Sequence, residues 1–143
     1  MGFFSELFHN KPDYPAVDQD TPLAEQLHAL EAPLQTLLSK VDDRIEIVPM
    51  NPRSIVFIGK PPKGRFGVAW IEGGQVQNFQ GLARDRGVAS SDLHKFGEKF
   101  RTAYEHSLDT QRFIATIAGR DVVVTPDAAL AEKIEEVIHT ALQ

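Results

Sequence analysis

The amino-acid sequence predicts an α+β fold, in which helices pack on an antiparallel sheet of five or six strands. Three long segments repeat apolar residues at helical spacing, and short apolar runs bounded by turn residues lie between them. These runs follow one another closely, which favours an antiparallel meander. The predicted order is α-β-β-β(-β)-α-β-β-α, preceded by a short N-terminal helix.

The chain of 143 residues has the length of one ordinary domain with an additional N-terminal segment. Residues 1–20 comprise an apolar segment and a Pro-rich linker, and residues 21–143 comprise a single α+β domain. The apolar face of the predicted N-terminal helix consists of Phe3, Phe4, Leu7 and Phe8. Because the linker separates this face from the domain, we expect it to fold back, to dock on another subunit or to bind a partner.

The first long helix begins after Thr21, an N-cap residue followed by Pro22 at the first helical position. Its stripe of leucines continues to Val41. Pro33 interrupts the pattern and predicts a kink or break near Ala32.

Four strand-like runs come next, "RIEIVP", "RSIVFI", "RFGVAWIE" and "QVQNF". The sequence "EGGQ" predicts a hairpin turn at Gly73 and Gly74, since glycine accepts positive φ. Trp70 shares a face with Phe66 and Val68, which favours a place in the core or at an interface. We therefore regard Trp70 as a candidate partner-binding residue together with the four N-terminal apolar residues.

The second long helix is predicted to begin at Ser90 or Ser91, either of which is a good cap. Gly97 is unfavourable in a helix interior, so we expect a close neighbour there. The predicted buried stripe is Leu93, Phe96, Phe100, Ala103 and Tyr104.

A second hairpin, turning at Gly119 and Arg120, precedes the last helix. Thr125 is the expected N-cap of that helix, with Pro126 at its first position.

Composition excludes several classes of function. The chain has no cysteine, so disulfides, thiolate nucleophiles and cysteine metal sites are absent. No apolar run is long enough to span a membrane, and we expect a cytoplasmic protein. The net charge of −5 disfavours nucleic acid as the main partner, although residues 51–100 alone carry +4.

The loop "GKPPKGRF" has the glycine spacing of a phosphate-binding loop but lacks its chemistry. Arg65 and Phe66 stand where a lysine and a hydroxyl residue are required, Pro61 and Pro62 remove backbone donors, and a strand follows. We interpret the segment as a hairpin loop with a basic tip. Its candidate anion-contacting residues are Lys60, Lys63 and Arg65.

Residues 82–101 have the spacing of a helix-turn-helix, with Gly87 at the turn and the second hairpin placed where a wing would follow. The alternative function is therefore a winged-helix DNA-binding protein. Acidic and basic residues alternate on the second helix, which argues against it.

No arrangement of residues indicates catalysis. The five histidines form no His-Glu-x-x-His pattern, and the adjacent carboxylates at 42–43 and 135–136 point apart. We expect no catalytic residue, no cofactor and no metal site.

The order of elements over residues 21–142 resembles the small dimeric chaperones of type III secretion, which run helix, three strands, helix, two strands, helix. The Pro33 break and the additional strand "VQNF" depart from that pattern. The resemblance implies a homodimer that binds an extended segment of another protein. We therefore expect a non-enzymatic protein-interaction module of chaperone or adaptor type.

The first prediction concerns the loop at residues 59–65. Isothermal titration with ATP and magnesium should show no saturable binding, because the lysine, the hydroxyl and the helix of a phosphate-binding loop are absent. Saturable micromolar binding that Arg65→Ala abolishes would contradict this interpretation.

Overall fold

The computed structural model describes residues 14–143, so the predicted N-terminal helix and its four apolar residues lie outside the described residues. The helices are α1 (Pro22–Lys40), α2 (Phe79–Asp85), α3 (Ser90–Glu105) and α4 (Ala128–Leu142). The strands are β1 (Ile45–Val48), β2 (Ser54–Gly59), β3 (Phe66–Glu72), β4 (Gln75–Asn78), β5 (Phe113–Ile117) and β6 (Arg120–Val124). The predicted α+β class and the order of its main elements are confirmed.

The six strands form one mixed sheet in the order β4-β3-β2-β1-β6-β5. The strands β1 to β4 are an antiparallel meander, and β5 and β6 are an antiparallel hairpin. However, β6 runs parallel to β1, so the prediction of a wholly antiparallel sheet is wrong. The chain between β4 and β5 contains two helices, and a connection of that length allows the hairpin to enter beside β1 in parallel.

The sheet is covered on both faces. The helix α1 packs on one face, over a core that includes Ile47, Val56 and Val124. The helices α2, α3 and α4 pack on the other face, over a core that includes Phe57, Val68 and Trp70. The strand β1 is buried along its whole length, which is typical of a strand between two helical layers.

The helix α1 is continuous through Pro33, so the predicted break near Ala32 does not occur. Pro33 is itself buried, and Leu27 and Leu34 on either side of it pack on the same face of the sheet. The burial of both halves on one core therefore outweighs the backbone hydrogen bond that proline removes.

Two helix starts differ from the predictions. The residue before α3 is Ala89, which makes no capping bond, and neither Ser90 nor Ser91 caps the helix. The cap of α4 is Asp127, whose carboxylate accepts a hydrogen bond from the Leu130 amide at 3.0 Å. Thr125 is fully buried and uses its hydroxyl elsewhere, so it is unavailable as a cap.

The predicted stripe of α3 is confirmed in its second half. Phe100, Ala103 and Tyr104 are buried, whereas Leu93 and Phe96 are only partly buried. The first half of the helix therefore stands partly open to solvent beside the sheet.

Three buried polar side chains surround the carboxylate of Glu46, which is 1% exposed in the middle of β1. Tyr104 and Thr125 donate hydrogen bonds to it at 2.6 Å each, and Nε of Arg112 donates at 3.0 Å. The guanidinium of Arg112 also bonds to the carbonyl and the hydroxyl oxygens of Ser107 and lies over the Tyr104 ring. Burial and the neighbouring Glu46 carboxylate raise the pKa of the Tyr104 hydroxyl, which stays protonated as a donor. We call these five residues the Glu46 network.

The second prediction tests the packing of α3. Phe100 is 2% exposed and its ring meets that of Phe79 edge to face, with centroids 4.9 Å apart. Phe100→Ala should lower the free energy of unfolding by about 3–5 kcal/mol, because it leaves a cavity in the core. A loss of less than about 1 kcal/mol in a denaturant melt would be inconsistent with this packing.

The third prediction tests the Glu46 network. Arg112→Met should destabilise the protein by about 3–5 kcal/mol, because it leaves the Glu46 carboxylate buried without its cation. The double variant Glu46→Met/Arg112→Met removes both charges and should be more stable than Arg112→Met alone. Chemical denaturation of the two variants measures this difference, and an equal or lower stability of the double variant would refute the pairing.

Candidate functional site

The largest depression described here is an open groove of about 880 Å³ on the face of the sheet that carries three helices. The ends of β2 and β3 form its floor, α3 forms one wall, and the junction of β4 with α2 forms the other. Along α3 the lining runs from Ser90 to Arg101, a distance of about 17 Å at the rise of an α-helix. We call it the β3–α3 groove.

Aromatic and aliphatic side chains provide the apolar part of the groove. Phe79 and Phe100 are buried in the core beneath it and support it from behind. The apolar surface open to a ligand therefore comes mainly from the partly buried Ile58, Phe66 and Leu93. Leu93 is partly buried and stands on the α3 wall. The apolar lining side chains are Ile58, Phe66, Val68, Phe79, Leu93 and Phe100.

Arg101 fixes the mouth of the groove. Its Nε donates to the carbonyl oxygen of Pro62 at 2.5 Å, and its Nη2 donates to that of Gly64 at 2.6 Å. Its Nη1 donates to Glu98 at 2.7 Å, and the guanidinium lies over the Phe66 ring. This one side chain therefore ties the β2–β3 loop to α3, and the loop is held as a fixed wall.

Gly97 lines the groove at the middle of α3. The expectation that a close neighbour requires glycine at this position is wrong, since a Cβ there would meet nothing within 4 Å. Alanine would be favoured over glycine in a helix by about 1 kcal/mol. The absence of a side chain instead keeps the wall of the groove low between Leu93 and Arg101.

The groove has a cationic rim. Arg65 and Arg84 are exposed, and neither makes an ion pair or a side-chain hydrogen bond within residues 14–143. The carboxylates that line the groove are Asp43 and Glu98, and Glu98 is already paired with Arg101. An acidic ligand with apolar side chains would therefore meet cations at the rim and the partly buried Phe66, Ile58 and Leu93 at the floor.

The candidate residues that the structure describes lie in two different locations. Lys60, Lys63 and Arg65 are exposed on the β2–β3 loop, and Arg65 lines the groove. Trp70 is only 4% exposed and belongs to the core of the three-helix face, outside the lining of the groove. The four N-terminal apolar residues lie outside the described residues.

The β2–β3 loop connects two antiparallel strands, as expected of a hairpin rather than a phosphate-binding loop. Gly59 and Gly64 have positive φ values of 113° and 65°, which glycine adopts without strain. The loop leads into β3, so it is not followed by the helix whose N-terminus holds the phosphate in a phosphate-binding loop.

The helix-turn-helix spacing corresponds to real elements, α2 and α3, with Gly87 at φ 78° between them. The face of α3 is of mixed charge, because Arg101 pairs with Glu98 and Lys95 lies 4.0 Å from Asp92. The β5–β6 hairpin is part of the main sheet through β6 and does not project as a wing. These features do not favour a DNA-binding surface.

Ser90, His94 and Glu98 lie at successive four-residue intervals along the groove wall of α3. Such a line could suggest a nucleophile, a base and an acid. In the described part of the chain, no hydrogen bond joins His94 to either neighbour, and Oε1 of Glu98 is engaged by Arg101. The three side chains do not form a catalytic relay in this structure.

A second, smaller groove of about 350 Å³ runs between α3 and α4. Its apolar lining residues are Ala103 and Val137, and the others are polar or charged, such as Lys133 and Thr140. It has no Phe, Tyr or Trp side chain in its lining, so a substitution in this groove is a suitable control for one in the β3–α3 groove.

The sequence did not identify the residues that matter most in the groove. No sequence pattern singles out Arg84, Arg101 or Glu46 as a functional residue. One signal was available, since a lone glutamate between Ile45 and Ile47 in an apolar strand demands a buried partner. No pattern in the sequence names Arg112 as that partner.

Comparison with protein-family models, with curated proteins and with solved structures finds no match for this chain. None of the helices in residues 14–143 is long and apolar enough to cross a membrane. In the same range, no group of three or more acidic or histidine side chains could hold a metal ion. A functional interpretation of this chain therefore depends on the geometry and charge of the groove.

Proposed function

We propose that this protein is a non-enzymatic interaction module that binds a short acidic and apolar segment of another polypeptide in the β3–α3 groove. The observation that carries the proposal is the combination of an apolar, partly aromatic floor with a rim of unpaired arginines.

The shape of the groove favours a peptide over a small molecule. It is open along one side and follows α3 for about 17 Å, enough for about five residues of an extended chain. A small-molecule site encloses most of its ligand, whereas a peptide groove leaves one side of the ligand in solvent.

The rigidity of the groove also supports recognition. The Arg101 clamp holds the loop, and the core holds the rings of Phe79 and Phe100. A site that is already formed loses little conformational entropy when a ligand binds. Acidic side chains on the ligand would meet Arg65 and Arg84, which would steer binding and select against basic segments.

The fourth prediction tests this function by peptide selection. A random peptide library displayed on phage should enrich sequences that combine Asp or Glu with Phe, Leu or Ile. Fluorescence anisotropy then compares the enriched peptides on variants of the full chain. Gly97→Leu should abolish binding by filling the groove, because a side chain at this position meets open space.

Arg84→Ala should weaken the same peptides by about fivefold, the effect of roughly 1 kcal/mol from a rim charge, and binding should weaken with added salt. The matched control is Lys133→Ala in the α3–α4 groove, which should leave the affinity unchanged. Peptides that bind Gly97→Leu as tightly as the wild type would show that the groove is not the site.

A further inference from the structure

The N-terminal segment of this chain has the chemistry that the β3–α3 groove selects. Residues 3–8 read "FFSELF", with four large apolar side chains around one carboxylate, Glu6. The groove offers an apolar floor beneath unpaired arginines at 65 and 84. The described surface leaves few other large apolar side chains exposed, Tyr14 and Leu108 among residues 14–143.

We infer that residues 3–8 of one copy occupy the β3–α3 groove of a second copy, which forms a dimer and keeps the groove closed to other ligands. The inference rests on the proposed function, because it names an occupant and a means of regulation for the same site. An external polypeptide would then have to displace this segment before it could bind.

The register of the sheet shows where the segment starts. Ala16 pairs with Ile114 outside the edge of β5, and Val17 donates to the Ile114 carbonyl at 2.9 Å. From this edge the paired row runs across the sheet through Ile114, Val123, Glu46, Phe57 and Val68. Five strand spacings, about 24 Å, therefore separate Ala16 from β3.

Tyr14 also lies towards the opposite end of the sheet from the groove. When the register is extended by two residues from Ala16, Tyr14 lies level with Trp70 of β3. Trp70 is four residues from Phe66 at the groove, which is about 13 Å along the strand direction. The direct separation of Tyr14 from Phe66 is thus about 27 Å through the sheet, and a real path around α3 and α4 is longer.

The chain is too short for residues 7 and 8 to cover that distance within one molecule. Six residues separate Phe8 from Tyr14, and a fully extended chain spans at most about 3.6 Å per residue, or about 22 Å. Phe3 and Phe4, ten or eleven residues from Tyr14, span about 36–40 Å when fully extended, so only these two could reach Phe66 in the same molecule. A second copy carries no such restriction, so all four apolar side chains can enter its groove together.

Charge favours the same arrangement. Glu6 is the single carboxylate among residues 1–12, and it lies between the two apolar pairs. In the groove it would face Arg65 and Arg84, whereas in the α3–α4 groove Lys133 is already paired with Glu136 at 3.4 Å. The exchange is reciprocal, since each copy has one segment and one groove, and two such contacts close a symmetric dimer.

The absence of native cysteine gives a direct test on the full chain. A size-tagged chain carrying Ser5→Cys is mixed with an untagged chain carrying Gly97→Cys, and oxidised glutathione is added. Ser5→Cys leaves the four apolar side chains intact, and a side chain at Gly97 meets open space. The matched control replaces the second chain with Thr140→Cys in the α3–α4 groove.

We expect the disulfide between the tagged and untagged chains to form about a hundredfold faster with Gly97→Cys than with Thr140→Cys, because docking raises the local thiol concentration from about 10 μM in solution to about 1 mM. Phe4→Asp/Leu7→Asp in the tagged chain should remove this difference. The same double substitution should convert the dimer to a monomer in sedimentation velocity. Equal rates for the two acceptor chains would overturn the inference.

Two further results separate this inference from the proposed function. If one chain carrying both Ser5→Cys and Gly97→Cys forms only an intrachain disulfide, the segment docks within its own molecule, and the second-copy inference fails. If no disulfide forms but the selected acidic peptides still bind the groove, the inference fails and the proposed function stands. If neither binds, both fail.

Discussion

The carboxylate of Glu46 is the point on which the arrangement of the fold depends. It lies in β1, and it is bonded by Tyr104 from α3, by Thr125 at the end of β6 and by Arg112 before β5. A shift of β1 by one residue would turn this carboxylate into the apolar core beneath α1 without partners, which would cost several kcal/mol. The network therefore contributes register and specificity more than net stability, since the desolvation of a buried ion pair offsets much of its attraction.

The position of α3 follows from the same contacts, and the groove follows from the position of α3. The second half of the helix is tied down by Tyr104 and by the packing of Phe100. One turn before Tyr104, Arg101 fixes the β2–β3 loop to the helix through its hydrogen bonds to the carbonyl oxygens of Pro62 and Gly64. The first half has weaker support, with Leu93 only partly buried and no side chain at Gly97. The C-terminal half of α3 is thus fixed against the sheet, whereas the N-terminal half leaves space beside the sheet, and this space is the groove.

The electrostatics of the groove differ from those of the whole chain. The overall charge of −5 opposes anionic partners at long range, but it is screened within about 10 Å at ordinary salt. At contact distance the groove presents Arg65 and Arg84, which have no side-chain partner within residues 14–143. The proposed ligand therefore combines a carboxylate with nearby apolar side chains. The N-terminal "FFSELF" meets this requirement, which couples assembly of the proposed dimer to access to the site.

Interactions between residues close in the sequence determined the secondary-structure elements of this protein, and contacts between distant residues determined how those elements pair and pack. Helical periodicity, the Thr21 cap and the turn at Gly73 and Gly74 are short-range features, so the sequence alone predicted them. The unbroken helix through Pro33 and the parallel pairing of β1 with β6 depend on burial against residues distant in the chain, which no local pattern records. The sequence did not predict the groove for the same reason. Its lining comes from β2, β3, α3 and the β4–α2 junction, which are brought around one space only in the tertiary structure, where the Glu46 network fixes α3 against the sheet.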